Sequence, residues 1–200
     1  LETRAAIDGA RAAFRELGRS VPLQVQVALD VTGRMLLGTD VGAVLAILYG
    51  MRADVIGVNC SVGPEHLREP VRYLCQHAPT PVSVIPNAGL PKNVDGVATY
   101  PLGPADMARE LGQFVSELGA PVVGGCCGST PEHIVALCEA VSGAARAPRQ
   151  VVFERSLASA ITASALEQQP KPLLIGERVN TQGSRAFKQV MLADDYDGAL

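Results

Sequence analysis

Ala120-Pro121-Val122-Val123-Gly124-Gly125-Cys126-Cys127-Gly128 is a short apolar run that breaks into glycines around two adjacent cysteines. Three similar runs precede it: Leu23–Leu29, Val55–Asn59, which ends against Cys60, and Pro81–Ile85. They recur about every thirty residues, the length of a βα unit with its loops, and near-continuous apolar strands belong to a parallel sheet covered on both faces. The fold class is therefore α/β.

The segments between these runs read as helices. Over Glu2–Leu17, Ile7, Ala10, Phe14 and Leu17 share one face before Gly18 stops the turn. From Asp106 the same spacing places Met107, Leu111, Phe114, Val115 and Leu118 together, and Gly119 ends it. Thr130 can cap the last clear helix, with Pro131 at its first position, where the missing N–H costs nothing.

Four βα units fit either a doubly wound sheet or half of an eight-stranded (β/α)8 barrel. No G-x-G-x-x-G turn of the dinucleotide-binding kind follows any strand. Asp30, Asn59-Cys60, Pro86-Asn87 and Cys126-Cys127 instead all stand at carboxyl ends of strands, where barrels collect their chemistry. The half-barrel is the preferred reading and covers residues 1–143. Residues 144–172, poor in large apolar side chains apart from Val151–Phe153, read as an interdomain linker with one short strand. Residues 173–200 open a second α/β domain with the strand Leu173-Leu174-Ile175 and the loop Gly176–Asn180. The chain starts at Leu1 rather than methionine and reads as a piece of a longer protein.

Composition narrows the function classes. A chain of 200 residues that is 48% hydrophobic and 18% charged can bury a core and is not disordered. A net charge of -3 with 4% aromatics leaves no basic, ring-bearing face for nucleic acid. No apolar run approaches the roughly 18 residues a membrane helix needs, and the start does not read as a signal. Five cysteines, an odd number, fit reduced thiols in a cytoplasm better than a secreted disulfide framework.

Cysteines are most often small buried hydrophobes. Cys75 lies on the helical stripe Leu67, Val71, Leu74 and Cys138 on Ile134, Leu137, Val141, so both read as core. Cys60, Cys126 and Cys127 sit at strand ends instead. Three thiolates on zinc leave its fourth tetrahedral position open. Cys126 and Cys127 can share an ion only where the strand has already become a loop, which the flanking glycines allow. Such a site carries net charge -1, a poor activator of water but well suited to holding a substrate thiol as an electron-rich thiolate. The chemistry implied is alkyl transfer to sulfur. Buried structural cysteines and a vicinal disulfide are the competing readings.

Three motifs, Val58-Asn59-Cys60-Ser61, Pro86-Asn87-Ala88-Gly89-Leu90-Pro91 and Gly124-Gly125-Cys126-Cys127-Gly128-Ser129-Thr130-Pro131-Glu132-His133, resemble the homocysteine S-methyltransferase domain over about residues 1–143. Ile175-Gly176-Glu177-Arg178-Val179-Asn180, with Gly183-Ser184 and Phe187-Lys188, resembles the start of the pterin-binding domain that follows it in cobalamin-dependent methionine synthases. The resemblance implies zinc held by Cys60, Cys126 and Cys127. It implies homocysteine beside Asn59, Asn87 and Ala88, with its sulfur taking a methyl group from methylcobalamin to give methionine. It further implies 5-methyltetrahydrofolate as ultimate donor, contacted by Glu177 and Asn180, and cobalamin on a domain outside this chain. Only the second barrel half is matched, and the acidic residues that hold the substrate amino group belong mainly to the first, so the chain alone is expected to be inactive. Val179 stands where threonine is common. Two alternatives remain: a stand-alone homocysteine S-methyltransferase with a sulfonium or betaine donor, which would not need Glu177–Asn180, and a non-catalytic zinc-binding scaffold. His66 and His133 read as exposed capping residues, His77 as a partner of a helix dipole, and Asp30 as an orienting group.

Overall fold

The computed structural model describes residues 2–173 and 180–198. In chain order the elements are α1 (Glu2–Glu16), β1 (Gln24–Val27), α2 (Val41–Gly50), β2 (Val55–Asn59), α3 (Pro64–His77), β3 (Val82–Ile85), β4 (Lys92–Val94), β5 (Val97–Thr99), α4 (Pro104–Ser116), β6 (Val122–Val123), α5 (Pro131–Val141), β7 (Ser156–Ala158), β8 (Ala163–Ala165) and α6 (Arg185–Leu192). They fall into two compact units, Leu1–Ala165 and Leu166–Leu200.

The first unit is an α/β fold built on a parallel sheet of order β1-β2-β3-β6. The register explains the valine-rich strands. Val25, Ile56 and Val82 stand abreast, as do Val27, Val58, Val84 and Val123. All but Val123 of these are buried under the helices, together with Leu67, Val71 and Leu74 of α3 and Met107, Leu111 and Phe114 of α4. The alternate row, Gln26, Gly57, Ser83 and Val122, lies on the opposite face. There the Gln26 amide crosses over Gly57 and donates to Ser83 Oγ at 3.0 Å. A β-carbon on Gly57 would overlap both Ser83 Oγ and the Ser83 carbonyl oxygen, so only glycine admits this crossing.

Two helix faces differ from expectation. On α1 only Ile7 is buried, and Leu17 is 66% exposed. On α5 the inward face carries His133 and Leu137, which leaves Ile134 and Cys138 exposed. The hydrophobic stripe misled because a histidine, not an aliphatic residue, occupies one inward position. Cys75 is buried, as its stripe requires.

Residues 144–165 belong to the first unit and pack on its helices. Ala147 N–H donates to the Val115 carbonyl at the end of α4. Arg149 donates to the carbonyls of Cys75 at 2.8 Å, Thr80 at 3.0 Å and Leu74 at 3.4 Å, and also to Ala78, taking up the free end of α3. Val152 N–H donates to the Gln76 carbonyl at 2.8 Å, His77 Nδ1 donates to the Val152 carbonyl at 2.8 Å, and Phe153 meets Tyr49 of α2 at a centroid distance of 4.7 Å. The chain then forms the β7–β8 hairpin, and Asp40 N–H donates to the Ile161 carbonyl in its turn. In the second unit α6 is capped by Ser184, whose hydroxyl accepts from Phe187 N–H at 3.2 Å. No described helix is long and apolar enough to cross a membrane.

Candidate metal centre

Strand β3 lies between β2 and β6, and the loops that follow these two neighbours are hydrogen-bonded to its carboxyl end. Cys60 N–H donates to the Ile85 carbonyl at 2.9 Å, and Cys126 N–H to the Pro86 carbonyl at 2.8 Å, so both thiols are anchored to the same central chain. After β2 the backbone turns sharply. Cys60 and Ser61 adopt φ of 59° and 68°, and Val62 N–H closes on the Cys60 carbonyl at 2.8 Å. Left-handed backbone costs a residue with a β-carbon about 1–2 kcal/mol, and two in succession at a candidate site mark a geometry imposed by its surroundings.

The loop after β3 holds Cys127 by both backbone groups. Cys127 N–H donates to Asn87 Oδ1 at 3.2 Å, and its carbonyl accepts from Ala88 N–H at 2.9 Å. Asn87 is 2% exposed and Ala88 fully buried, so these are interior hydrogen bonds. Asn59 is the half-buried last residue of β2, adjacent to Cys60 and abreast of Ile85.

The three sulfurs converge: their Sγ atoms all lie within 4.8 Å of one another. Cys60 to Cys127 is 3.7 Å and Cys126 to Cys127 is 3.9 Å. Tetrahedral zinc with thiolate bonds of about 2.3 Å requires sulfurs about 3.8 Å apart, so the donor set fits such an ion in both number and spacing. All five cysteines are free thiols. Burial pushes the Cys60 thiol up, but the Ser61 N–H, the sulfurs of Cys127 and Cys126 and the Asn87 amide outweigh it, and the net shift is downward. Cys126 moves upward, through burial and then through its interaction with Cys60. One thiol is thus disposed to ionise ahead of its neighbour.

Sequence reading missed Tyr100. This half-buried ring packs against Gly128, where φ is 78° and a β-carbon would overlap the Tyr100 Cβ and Cγ. Burial and the charges of Cys127, Cys60 and Cys126 raise its phenol pKa. No pattern signal pointed to it, because a tyrosine after Val97-Ala98-Thr99 reads as the continuation of a strand.

Other candidates have local roles. Asp30 Oδ1 accepts from Thr32 N–H at 2.8 Å, Thr32 Oγ1 at 2.6 Å and Arg34 N–H at 3.2 Å, so it ties its own loop and its pKa falls. His133 caps α5 as read, yet it is buried rather than exposed. Its Nδ1 accepts from Thr130 N–H at 3.2 Å and its Nε2 donates to the Leu102 carbonyl at 2.9 Å, so neither ring nitrogen is free for a metal. Asn180 lies in the second unit, where its side chain accepts from Gly183 N–H. Glu177 lies outside the described residues.

A family profile described as Homocysteine S-methyltransferase matches residues 1–141. This chain belongs to the homocysteine S-methyltransferase family. Over its whole length it is 43% identical to a methionine synthase of Mycobacterium leprae (strain TN) and 44% identical to one of Mycobacterium tuberculosis (strain ATCC 25618 / H37Rv). It spans 17% of the length of each. Among solved structures, the oxidized form of the homocysteine methyltransferase MmuM from Escherichia coli is 23% identical, with a TM-score of 0.49 over 69% of this chain and 41% of that one.

Proposed function

We propose that this chain supplies the thiolate zinc site at which homocysteine sulfur accepts a methyl group to give methionine, as part of a methionine synthase. The observation that carries the proposal is the convergence of Cys60, Cys126 and Cys127 at spacings suited to one tetrahedral ion, within a member of the homocysteine S-methyltransferase family. When bound, zinc would hold the incoming thiol as a nucleophilic thiolate. The protein's own work is positional. Asn87 and Ala88 fix the Cys127 backbone, the Cys60–Ser61 turn presents Cys60, and Cys127 faces solvent on the side from which a substrate approaches. Asn59, Asn87 and Ala88 are assigned to the homocysteine side.

The remaining assignments follow the same reading. The sheet order β1-β2-β3-β6, with no reversal, supports residues 1–143 as the second half of a (β/α)8 barrel. Residues 144–172 then connect to the start of a pterin-binding barrel at 173–200, where Glu177 and Asn180 would contact 5-methyltetrahydrofolate. Methylcobalamin would be held by another part of the same cytoplasmic polypeptide, and the isolated chain would be inactive. Identity that runs through residues 144–200 in two methionine synthases favours this over a stand-alone enzyme with a sulfonium or betaine donor.

Titrating the reduced chain with zinc and then homocysteine tests the proposal. The expected result is stoichiometric zinc uptake, followed by release of a thiol proton when homocysteine is added. Zinc uptake without proton release would identify a binding scaffold instead. Unchanged zinc stoichiometry in Cys126→Ala would remove the metal centre altogether.

A further inference from the structure

The loop that carries Cys126 and Cys127 is tied by their backbone N–H groups to the loop after β3, and runs on through Gly128, at φ 78°, and Ser129 to Thr130, the N-cap of α5. Its far end is held by His133, which is 7% exposed. Thr130 N–H donates to His133 Nδ1 at 3.2 Å, with Thr130 Oγ1 2.9 Å from the same nitrogen, and His133 Nε2 donates to the Leu102 carbonyl at 2.9 Å. Leu102 N–H then donates to the Ala88 carbonyl at 3.0 Å, and Ala88 N–H to the Cys127 carbonyl at 2.9 Å. These bonds run head to tail from Thr130 to Cys127, and the chain between Cys127 and Thr130 closes them into a ring. Bonds in such a series polarise one another.

We propose that His133 is a positioning residue of the metal centre: by bridging Thr130 and the Leu102 carbonyl it closes a hydrogen-bonded ring that fixes the backbone of the exposed ligand Cys127. The inference rests on the zinc reading given above. Helix capping alone does not account for an imidazole, since a glutamate three residues after the N-cap threonine would accept the same N–H. An ionised carboxylate has no proton to donate to Leu102, whereas a neutral imidazole accepts at one nitrogen and donates at the other, both held in one rigid plane. The ring matters because Gly128 otherwise leaves the two-cysteine loop free to turn. A metal site tolerates ligand distances within only about 0.2 Å of its ideal, so a loose backbone at Cys127 would weaken it.

The test combines wild type with His133→Asn and His133→Gln in the full chain. His133→Asn keeps an acceptor in the place of Nδ1 but cannot reach Leu102, and His133→Gln puts an amide nitrogen in the place of Nε2. Zinc affinity is read against a competing chelator, and ligand geometry by the sulfur-to-cobalt charge-transfer band of the Co2+-substituted protein, both at a temperature where the variants are folded. His133→Asn is expected to lower zinc affinity about tenfold and shift the band, and His133→Gln to recover most of both. Wild-type affinity together with an unshifted band in His133→Asn would overturn the proposal while leaving the zinc reading intact. Wild type alone supplies a second arm: zinc loading is expected to slow amide exchange at Ala88, Leu102 and Thr130. Unchanged exchange at all three would overturn the proposal even where neither variant folds. A wild-type chain that takes up no zinc would sink both readings, and is recognised before any variant is made.

Discussion

The carboxyl end of the sheet and the flank covered by Ala147–Phe153 use hydrogen bonds for opposite ends. At the first, backbone bonds to Ile85, Pro86 and Ala88 and the side-chain amide of Asn87 hold cysteines in positions that cost free energy: positive φ at Cys60, and an exposed sulfur at Cys127. At the second, one guanidinium removes a cost by taking the carbonyls of Cys75, Ala78 and Thr80 around the end of α3. Two left-handed residues in succession, Cys60 and Ser61, mark the end where sulfur chemistry is proposed, whereas the flank directs its hydrogen bonds to backbone carbonyls around the end of α3. A scaffold can hold a strained site only if its remaining interactions are well made.

The largest effect should come from beneath the site. Gly57→Ala forces a β-carbon into Ser83 Oγ and the Ser83 carbonyl, which pushes β2 from β3 and separates the anchors of Cys60 and Asn87. The expectation is a loss of about 3 kcal/mol in urea unfolding, together with loss of zinc uptake. Adding Ser83→Ala should not restore either, because the carbonyl oxygen remains in the way. A Gly57→Ala protein within about 0.5 kcal/mol of wild type would break the comparison, since it would show that the sheet under the site yields.

Arg149→Ala strikes the other region. Its removal strands the carbonyls of Cys75, Ala78 and Thr80, while the Leu74 carbonyl keeps the Ala78 N–H, with an expected cost of about 2 kcal/mol. Zinc affinity at a temperature where the variant is folded should stay at the wild-type value. A parallel fall in zinc affinity would mean that the flank and the metal centre are one cooperative element.

How much of this was legible beforehand depended on whether the signal was periodic. The four strands were read to within two residues at each end, because valine and isoleucine filled both registers of a covered sheet. The cysteine trio was legible because a core cysteine falls on a helical stripe, as Cys75 does, whereas Cys60, Cys126 and Cys127 follow strands and lie among turn-forming residues. The β4–β5 hairpin was overlooked although Asp95-Gly96 between alternating residues signals a tight turn, and both carry positive φ. Arg149 left no trace, since an arginine in a polar stretch reads as solvated until the helix end it covers is known. Tyr100 and His133 share that difficulty: the partners they pack on or bond to, Gly128 and Leu102, lie far along the chain.

Cys75 offers the smallest and most specific test, because it lies under the flank and outside the metal centre. Burial pushes its thiol pKa up to about 11 from the ordinary 9.0, with Arg149 pulling modestly the other way. The folded state therefore holds this proton more tightly than the unfolded chain. Its contribution to stability is complete below pH 9.0 and is lost as pH rises towards about 11. Wild type should lose stability across that interval relative to Cys75→Ala, with a difference in slope of at most about 1.4 kcal/mol per pH unit, the limit for one proton. Below the interval the two curves should run parallel, offset only by the lost packing of the sulfur. The cysteines of the metal centre titrate in both proteins and cancel in the difference, so a slope difference seen only below pH 9.0 would place the responsible group elsewhere and remove Cys75 from the account of the flank.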